Sequence, residues 1–434
     1  MKKLYPFSLL AIIMFLQLAI YGSYRPILST YLTKVLNFSG TQASVIISTT
    51  VIAGIFSPLA ASFVVDRLIK ARHLLSILHF TAAFFSFFTA INTSFKSVLF
   101  SYLFYMLLFA PTMGLVNAVT FKNLKSRREH FGSIRVFGTL GWMASGLILG
   151  QLYIKFFNGP VSHIFFAASI MGIIISIICF FLPDIPLPPR SRKSIKDIIP
   201  ASAFKTIARP ELLSLTVVFF LSSTMDQFYF FGTGPYLEHL GYSYGNNLAM
   251  QTLGQVLEIV SIPVLGFILG GFLINHKGGS FYFKGIGFKK SFLLGLAFQV
   301  TRYTIFTLTG SKLGIVTALL CNGFIYTFFY ATATIYVDTQ CTEENRSGVH
   351  QIINMIFFGF SGLTGTITAG FLTDYYSKNG TTDYTMFWMV PTGLSIIALI
   401  LTVIFIKDVP VKVSTAKSIS GTVDDTASGP HETV

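Results

Sequence analysis

The sequence predicts an all-α membrane protein, with twelve transmembrane helices in two six-helix halves. Three observations carry this. The chain is 53% hydrophobic, 15% aromatic and 11% charged, with a mean hydropathy of +0.68, far from the composition of ordinary soluble domains. Twelve segments approach the roughly 20 apolar residues that a bilayer crossing needs. A proline-rich and then basic stretch divides them six and six.

Taken in order, the first span, 6–33, follows Met1, Lys2 and Lys3 and imitates a secretory signal. Its apolar run outlasts a signal core of about 7–15 residues and lacks a small-residue cleavage site, so it reads as an uncleaved helix. Within it Arg25 precedes Pro26, at a helix break that either lines the outer vestibule or anchors that end. Spans two to six follow at 41–64, 73–92, 97–121, 131–154 and 161–182. Ile164 to Leu182 is apolar almost throughout, whereas a barrel strand would alternate over about ten residues. Between spans two and three, Ser62-x-x-x-Asp66-Arg67 has a worn echo after span eight, Gly271-x-x-x-Asn275. Pro183, Pro186, Pro188 and Pro189, followed by Arg190, Arg192, Lys193 and Lys196, read as a cytoplasmic linker. The later spans are 212–233, 247–273, 290–309, 313–338, 347–373 and 384–406, and the tail after Val411 has no apolar periodicity. The expected units are therefore an N-terminal half at 1–182, a linker at 183–210, a C-terminal half at 211–410 and a disordered cytoplasmic tail at 411–434.

Two six-helix halves are the layout of the major facilitator superfamily, whose halves are related by an axis along the membrane normal. Phe137-Gly138-x-x-Gly141 in span five recurs as Phe358-Gly359-x-x-Gly362 in span eleven, and small residues so spaced let helices approach closely.

The net charge of +14 is a topology signal rather than a nucleic-acid footprint. With the N-terminus inside, most of the 31 Lys and Arg fall on the cytoplasmic face, among them Lys70, Arg72, Lys122, Lys125, Arg127, Arg128 and Arg346. Both termini are then cytoplasmic, and the chain is expected in the cytoplasmic (inner) membrane, as a monomer in the lipid bilayer. Cys179, Cys321 and Cys341 form no disulfide framework and read as small packing residues.

Charged residues inside the spans are few: Arg25, Arg135, Asp226, Glu258 and Arg302. An acid or base at a helix centre costs roughly 2.5–3.5 kcal/mol, so such groups usually face a cavity and mark a substrate or proton path. Glu258 and Asp226 both fall near mid-membrane. Gln255 and Glu258 project together, as do Arg135 and Thr139 with Trp142 one turn on; Gln227 with Phe230 and Phe231, and Asn322, Tyr326 and Tyr330, form further polar and aromatic faces. These groups suit a flat, neutral, hydroxyl-bearing solute. The plain structural alternatives are a neutral buried Glu258 bonded to Gln255, Arg135 reaching to headgroups, and Asp226 paired with Arg302 or Arg25.

Ile134-Arg-Val-Phe-Gly-Thr-Leu-Gly141, Phe15-Leu-Gln-x-x-Ile-Tyr-Gly22 through Ser29-Thr-Tyr-Leu32, Pro111-Thr112 with Asn117, Gln255-Val-x-Glu258 and Asn379-Gly-Thr-Thr-Asp383 resemble, in order over residues 10–406, the nucleoside:proton symporter family of the major facilitator superfamily. The resemblance implies nucleoside contacts at Arg135, Thr139, Trp142, Gln227, Phe230, Gln255, Glu258, Asn322, Tyr326 and Thr327. It also marks three departures. Phe230 stands for an asparagine, Asn322 for a tyrosine and Thr327 for an aspartate. Asp226, an acid the family pattern does not require, would supply the missing carboxylate, so Glu258 and Asp226 are the expected proton-coupling residues.

The expected function is secondary active import of nucleosides with protons by alternating access, with no cofactor; the chain lacks a nucleotide-binding motif. A proton-linked sugar carrier or a small-molecule exporter of the same fold is the rival within transport. A membrane-embedded transferase would need clustered His, Asp or Cys, and the eight histidines are scattered. A passive channel does not use paired six-helix halves.

Overall fold

The structure is a computed structural model that describes residues 5–67, 70–124, 131–156, 158–182, 201–276, 279–342 and 345–407. The linker prolines and the tail from 411 lie outside the described residues, as do the side chains of Ser62, Asp66 and Arg67. Among the described residues, nine helices are long and apolar enough to cross a membrane, and Gly40–Phe56 and His163–Cys179 are shorter apolar helices.

Helix α1, Tyr5–Tyr24, tightens into a 3-10 turn at Arg25–Ile27, where Pro26 lacks the N–H a helix needs, and continues through Leu28–Thr30 to a π turn at Tyr31–Val35. Then come α2 (Gly40–Arg67), α3 (Ala71–Ile91), α4 (Phe95–Leu124), α5 (Phe131–Leu147, running on as a π segment Ile148–Phe156) and α6 (His163–Cys179). After a short helix at Ala201–Ile207, the second series is α7 (Pro210–His239), α8 (Tyr244–Met250 with Leu253–Gly270), α9 (Gly287–Leu308), α10 (Lys312–Ile325, a π turn Tyr326–Ala331, then Thr332–Thr339), α11 (Arg346–Asn354, a π turn Met355–Phe360, then Ser361–Tyr375) and α12 (Tyr384–Phe405).

Span eight ends earlier than its apolar run suggests. Gly271 adopts φ +80 and stops α8 at Gly270, and the chain enters an antiparallel hairpin, β1 Gly271–His276 with β2 Gly279–Lys284. The motif Asn379-Gly-Thr-Thr-Asp383 is likewise a fold element. Asn379 and Gly380, at φ +52 and +78, turn a two-residue hairpin between Ser377–Lys378 and Thr381–Thr382, and the Asp383 carboxylate accepts from Met386 N at 3.2 Å to cap α12.

In the first half α1 packs on α5 and α6, α3 on α4 and α6, and α2 on α4; in the second, α9 packs on α10 and α12, α7 on α11 and α12, and α8 on α10. The repeated glycines explain two of the closest approaches. A Cβ on Gly141 would overlap the Phe15 carbonyl of α1, and one on Gly362 would fall 2.9 Å from Val51 of α2.

Among the described residues the halves meet where α1 packs on α7 and α8, α2 on α11 and α5 on α8. Gly40 against Gly370, Gly234 against Pro26 and Gly150 against Gly245 bring these backbones together, all toward the end remote from the termini. Polar contacts gather there too. The Asp374 carboxylate, from α11, accepts from Gly40 N at 2.6 Å, Thr41 N at 2.8 Å and the Thr41 hydroxyl at 2.6 Å, at the start of α2. Gln251 donates to the Pro26 carbonyl at 2.8 Å, and Lys34 pairs with Glu238 at 3.7 Å.

Candidate solute site between the halves

One charged cluster lies at the junction between the halves, and a second lies behind it inside the second half. The first joins Arg135 of α5 to Glu258 of α8. Arg135 can lie back along its helix because Gly138 has no side chain; a Cβ there would fall 2.8 Å from Arg135 Nη1 and from Leu18 Cδ1. Glu258 is fixed by the close approach of α8 and α10 through Gly254 and Gly323, since a Cβ at 323 would fall 2.6 Å from Glu258 N. Arg135 is the basic neighbour of Glu258, and Tyr326 lies within the field of both. Among the described residues neither Arg135 nor Glu258 hydrogen-bonds or ion-pairs, which leaves both free for a guest.

Helix α10 supplies the next layer through its π turn, an insertion frequent at functional sites. The rings of Tyr326 and Tyr330 stay in contact across this turn, 6.2 Å between centroids, but differ in exposure. Tyr326 is 42% exposed, whereas Tyr330 is buried with its hydroxyl 3.1 Å from that of Ser222. The same turn carries Thr327 away from the junction, where its hydroxyl meets Ser261 at 2.7 Å and is fully buried. Trp142 sits edge-on to Tyr21 at 5.4 Å with its indole N–H buried and unpartnered, and Thr139 is half-buried one turn before it. Gln255, with its amide oriented to satisfy both ends, donates back to the carbonyls of Gln251 and Thr252 at 3.1 and 3.0 Å rather than to Glu258.

The second cluster is built around Arg302. Its guanidinium is fully buried between the rings of Tyr229 (4.3 Å) and Tyr303 (4.6 Å), donates to Asn322 Oδ1 and Tyr303 Oη at 2.7 Å each, and pairs with Asp226 Oδ1 at 3.4 Å. Of the two arginines open to Asp226, the ion pair therefore goes to Arg302. Arg25 crosses the junction instead: Nη2 donates to Gln227 Oε1 at 3.3 Å, and the guanidinium lies over the Phe230 ring at 5.0 Å. Arg25, Ser29, Ile47, Gln227, Phe230 and Thr366 line a crevice with about 210 Å³ of non-atom space, too narrow for a loose water.

The expected residues thus fall into two groups, one at the junction and one behind it, with Thr327 braced against α8. The aromatic walls around Arg302 left no signal in the sequence, because rings are common everywhere in this chain. Two motif residues prove to be packing: Gln17 donates to the Thr112 hydroxyl at 2.8 Å inside the first half.

The comparisons agree with this architecture. The family described as nucleoside H+ symporter matches residues 7–410. A putative nucleoside transporter of Escherichia coli, YegT, is 29% identical over 92% of this chain and 93% of its own length. The xanthosine permease of the same organism is 24% identical over 91% and 94%. A crystal structure of the nucleoside transporter NupG superposes with a TM-score of 0.78 at 20% identity, covering 91% of this chain and 97% of that one.

Proposed function

Since the chain belongs to the nucleoside H+ symporter family, we propose that it imports nucleosides together with protons by rocking its two halves about the junction at which the Arg135–Glu258 cluster lies. It is a multi-pass membrane transporter of the major facilitator fold, and not an enzyme. The observation that supports the reading is the facing of opposite charges across the halves: Glu258 on α8 has Arg135 on α5 as its basic neighbour, and among the described residues neither makes a hydrogen bond or an ion pair. A guest lying between them touches both halves at once, which lets binding bias the rocking equilibrium.

Glu258 is the first proton site in this reading. Protonated, it releases Arg135 to the solute; ionised, it holds Arg135 across the junction. Asp226 is the second, and balances Arg302. Trp142, Phe230 and Tyr326 offer faces to the base, Gln227 and Gln255 offer amides, and Thr139 and Asn322 shape the walls, while Thr327 braces α10 against α8. By the distribution of basic residues, both termini lie in the cytoplasm and the membrane is the inner one. The Asp374 and Gln251 contacts then seal the outer end, so the bundle is poised to open inward.

The test is Glu258→Gln in proteoliposomes. The variant is expected to bind and exchange nucleoside but to lose accumulation against a gradient; full proton-driven accumulation by it removes Glu258 from the coupling role.

A further inference from the structure

The crevice between α1 and α7 carries an unbalanced charge. Asp226 stands beside two guanidiniums and is bonded to one, Arg302. Among the described residues Arg25 has no carboxylate within 4 Å. Its protein partners are the Gln227 amide oxygen, at the long distance of 3.3 Å, and the rings of Phe230 and Tyr21 at 5.0 and 6.0 Å. Beside it in the same crevice the Ser29 hydroxyl is 1% exposed and has no partner. A guanidinium has five N–H donors and no acceptor, so most of the donors of Arg25 have no partner among the described residues. A cation held at this depth favours a guest that brings acceptor oxygens.

We propose that Arg25 is a specificity-determining residue of the nucleoside site, whose guanidinium receives a carbonyl oxygen on the edge of the base and so selects oxo bases over their amino counterparts. The proposal rests on the reading of the junction as a nucleoside site. The crevice holds no water-sized space as it stands, so the edge of a base reaches Arg25 only as the two halves part. Arg25 lies on α1 and its neighbours Gln227 and Phe230 on α7, so the recognising group and its support come from different halves. A base docked there bridges them.

Two matched pairs test the carbonyl: inosine against adenosine and uridine against cytidine, which exchange an oxygen for an amine at one ring position and, with it, an N–H donor for an acceptor at the neighbouring ring nitrogen. Binding of all four is measured by calorimetry on purified protein in nanodiscs. The wild type is expected to favour the oxo member of each pair roughly tenfold, the worth of one hydrogen bond to a charged group. Arg25→Gln is expected to bring both ratios to near one while still binding adenosine. Arg25→Lys, which keeps the charge without the fork, gives an intermediate ratio and supplies the comparison if the glutamine variant does not fold. Ratios near one in the wild type, or ratios unchanged in the variants, overturn the role of Arg25 and leave the nucleoside site standing. Failure of the wild type to bind any of the four overturns both.

Discussion

Asp226 and Arg302 show what one buried residue does for another. Arg302 is wholly inside the second half, and its nearest negative charge is a single carboxylate at 3.4 Å. Removing one partner of a buried pair typically costs about 3–5 kcal/mol, because the remaining charge has nowhere to go. Asp226→Asn is therefore expected to lower the thermal unfolding midpoint of the detergent-solubilised protein markedly. Arg302→Met added to it should recover much of the loss, and a single variant as stable as the wild type would refute the pairing. The same variant tests coupling: proton-driven accumulation at the wild-type level by Asp226→Asn excludes Asp226 from proton transfer. At this scale the sequence spoke clearly about charges and poorly about their partners. Five charged positions inside apolar spans are visible by inspection, and depth alone sets Glu258 and Asp226 at one level. Which arginine meets Asp226 depends on helix rotation, which hydropathy does not encode. Tyr326 and Tyr330, read as one face by their spacing, do keep their rings in contact, 6.2 Å between centroids, but lie in a π turn that no residue type announces and differ in exposure.

The helices themselves were legible because the membrane imposes their length: each apolar run in the sequence corresponds to a helix within a few residues. The strands β1 and β2 were not, since the first residues of β1 continue the apolar run of span eight and the rest lie in a short basic loop; the hairpin follows from the turn at Gly271. The informative element is α2, whose first turn is held by the Asp374 carboxylate of α11. Three donors converge on it, two of them backbone N–H groups that a helix start leaves unpaired, and the helix dipole adds to the attraction. Asp374→Ala is expected to shift the bundle toward opening at this end by roughly tenfold in population, the equivalent of about 1.4 kcal/mol. Spin labels at positions 45 and 378 should then report a longer distance in a larger fraction of molecules. An unchanged distance distribution would show that the glycine contacts alone hold the seal.

For the whole molecule, the contact of Arg25 with Gln227 and the facing of Arg135 and Glu258 set groups of one half beside groups of the other, so moving the halves moves these groups apart. Coupling at this scale is thermodynamic. One charge crossing 100 mV is worth ~2.3 kcal/mol, about a 40-fold concentration ratio. A protonophore is expected to abolish nucleoside accumulation in energised vesicles while leaving exchange of internal for external nucleoside intact; accumulation that survives it would place the energy source elsewhere. Arg302 gives the second half a further property. A guanidinium clamped between two rings can neither leave nor lose its proton, so whenever Asp226 is protonated a positive field stands at membrane depth and turns back hydronium and metal cations that arrive unescorted. Replacing it by methionine, alongside asparagine at 226 to keep the interior neutral, should raise the passive proton permeability of vesicles. The arginine would then be an insulator as much as a strut, keeping a solvent-wetted carrier from short-circuiting the gradient that drives it.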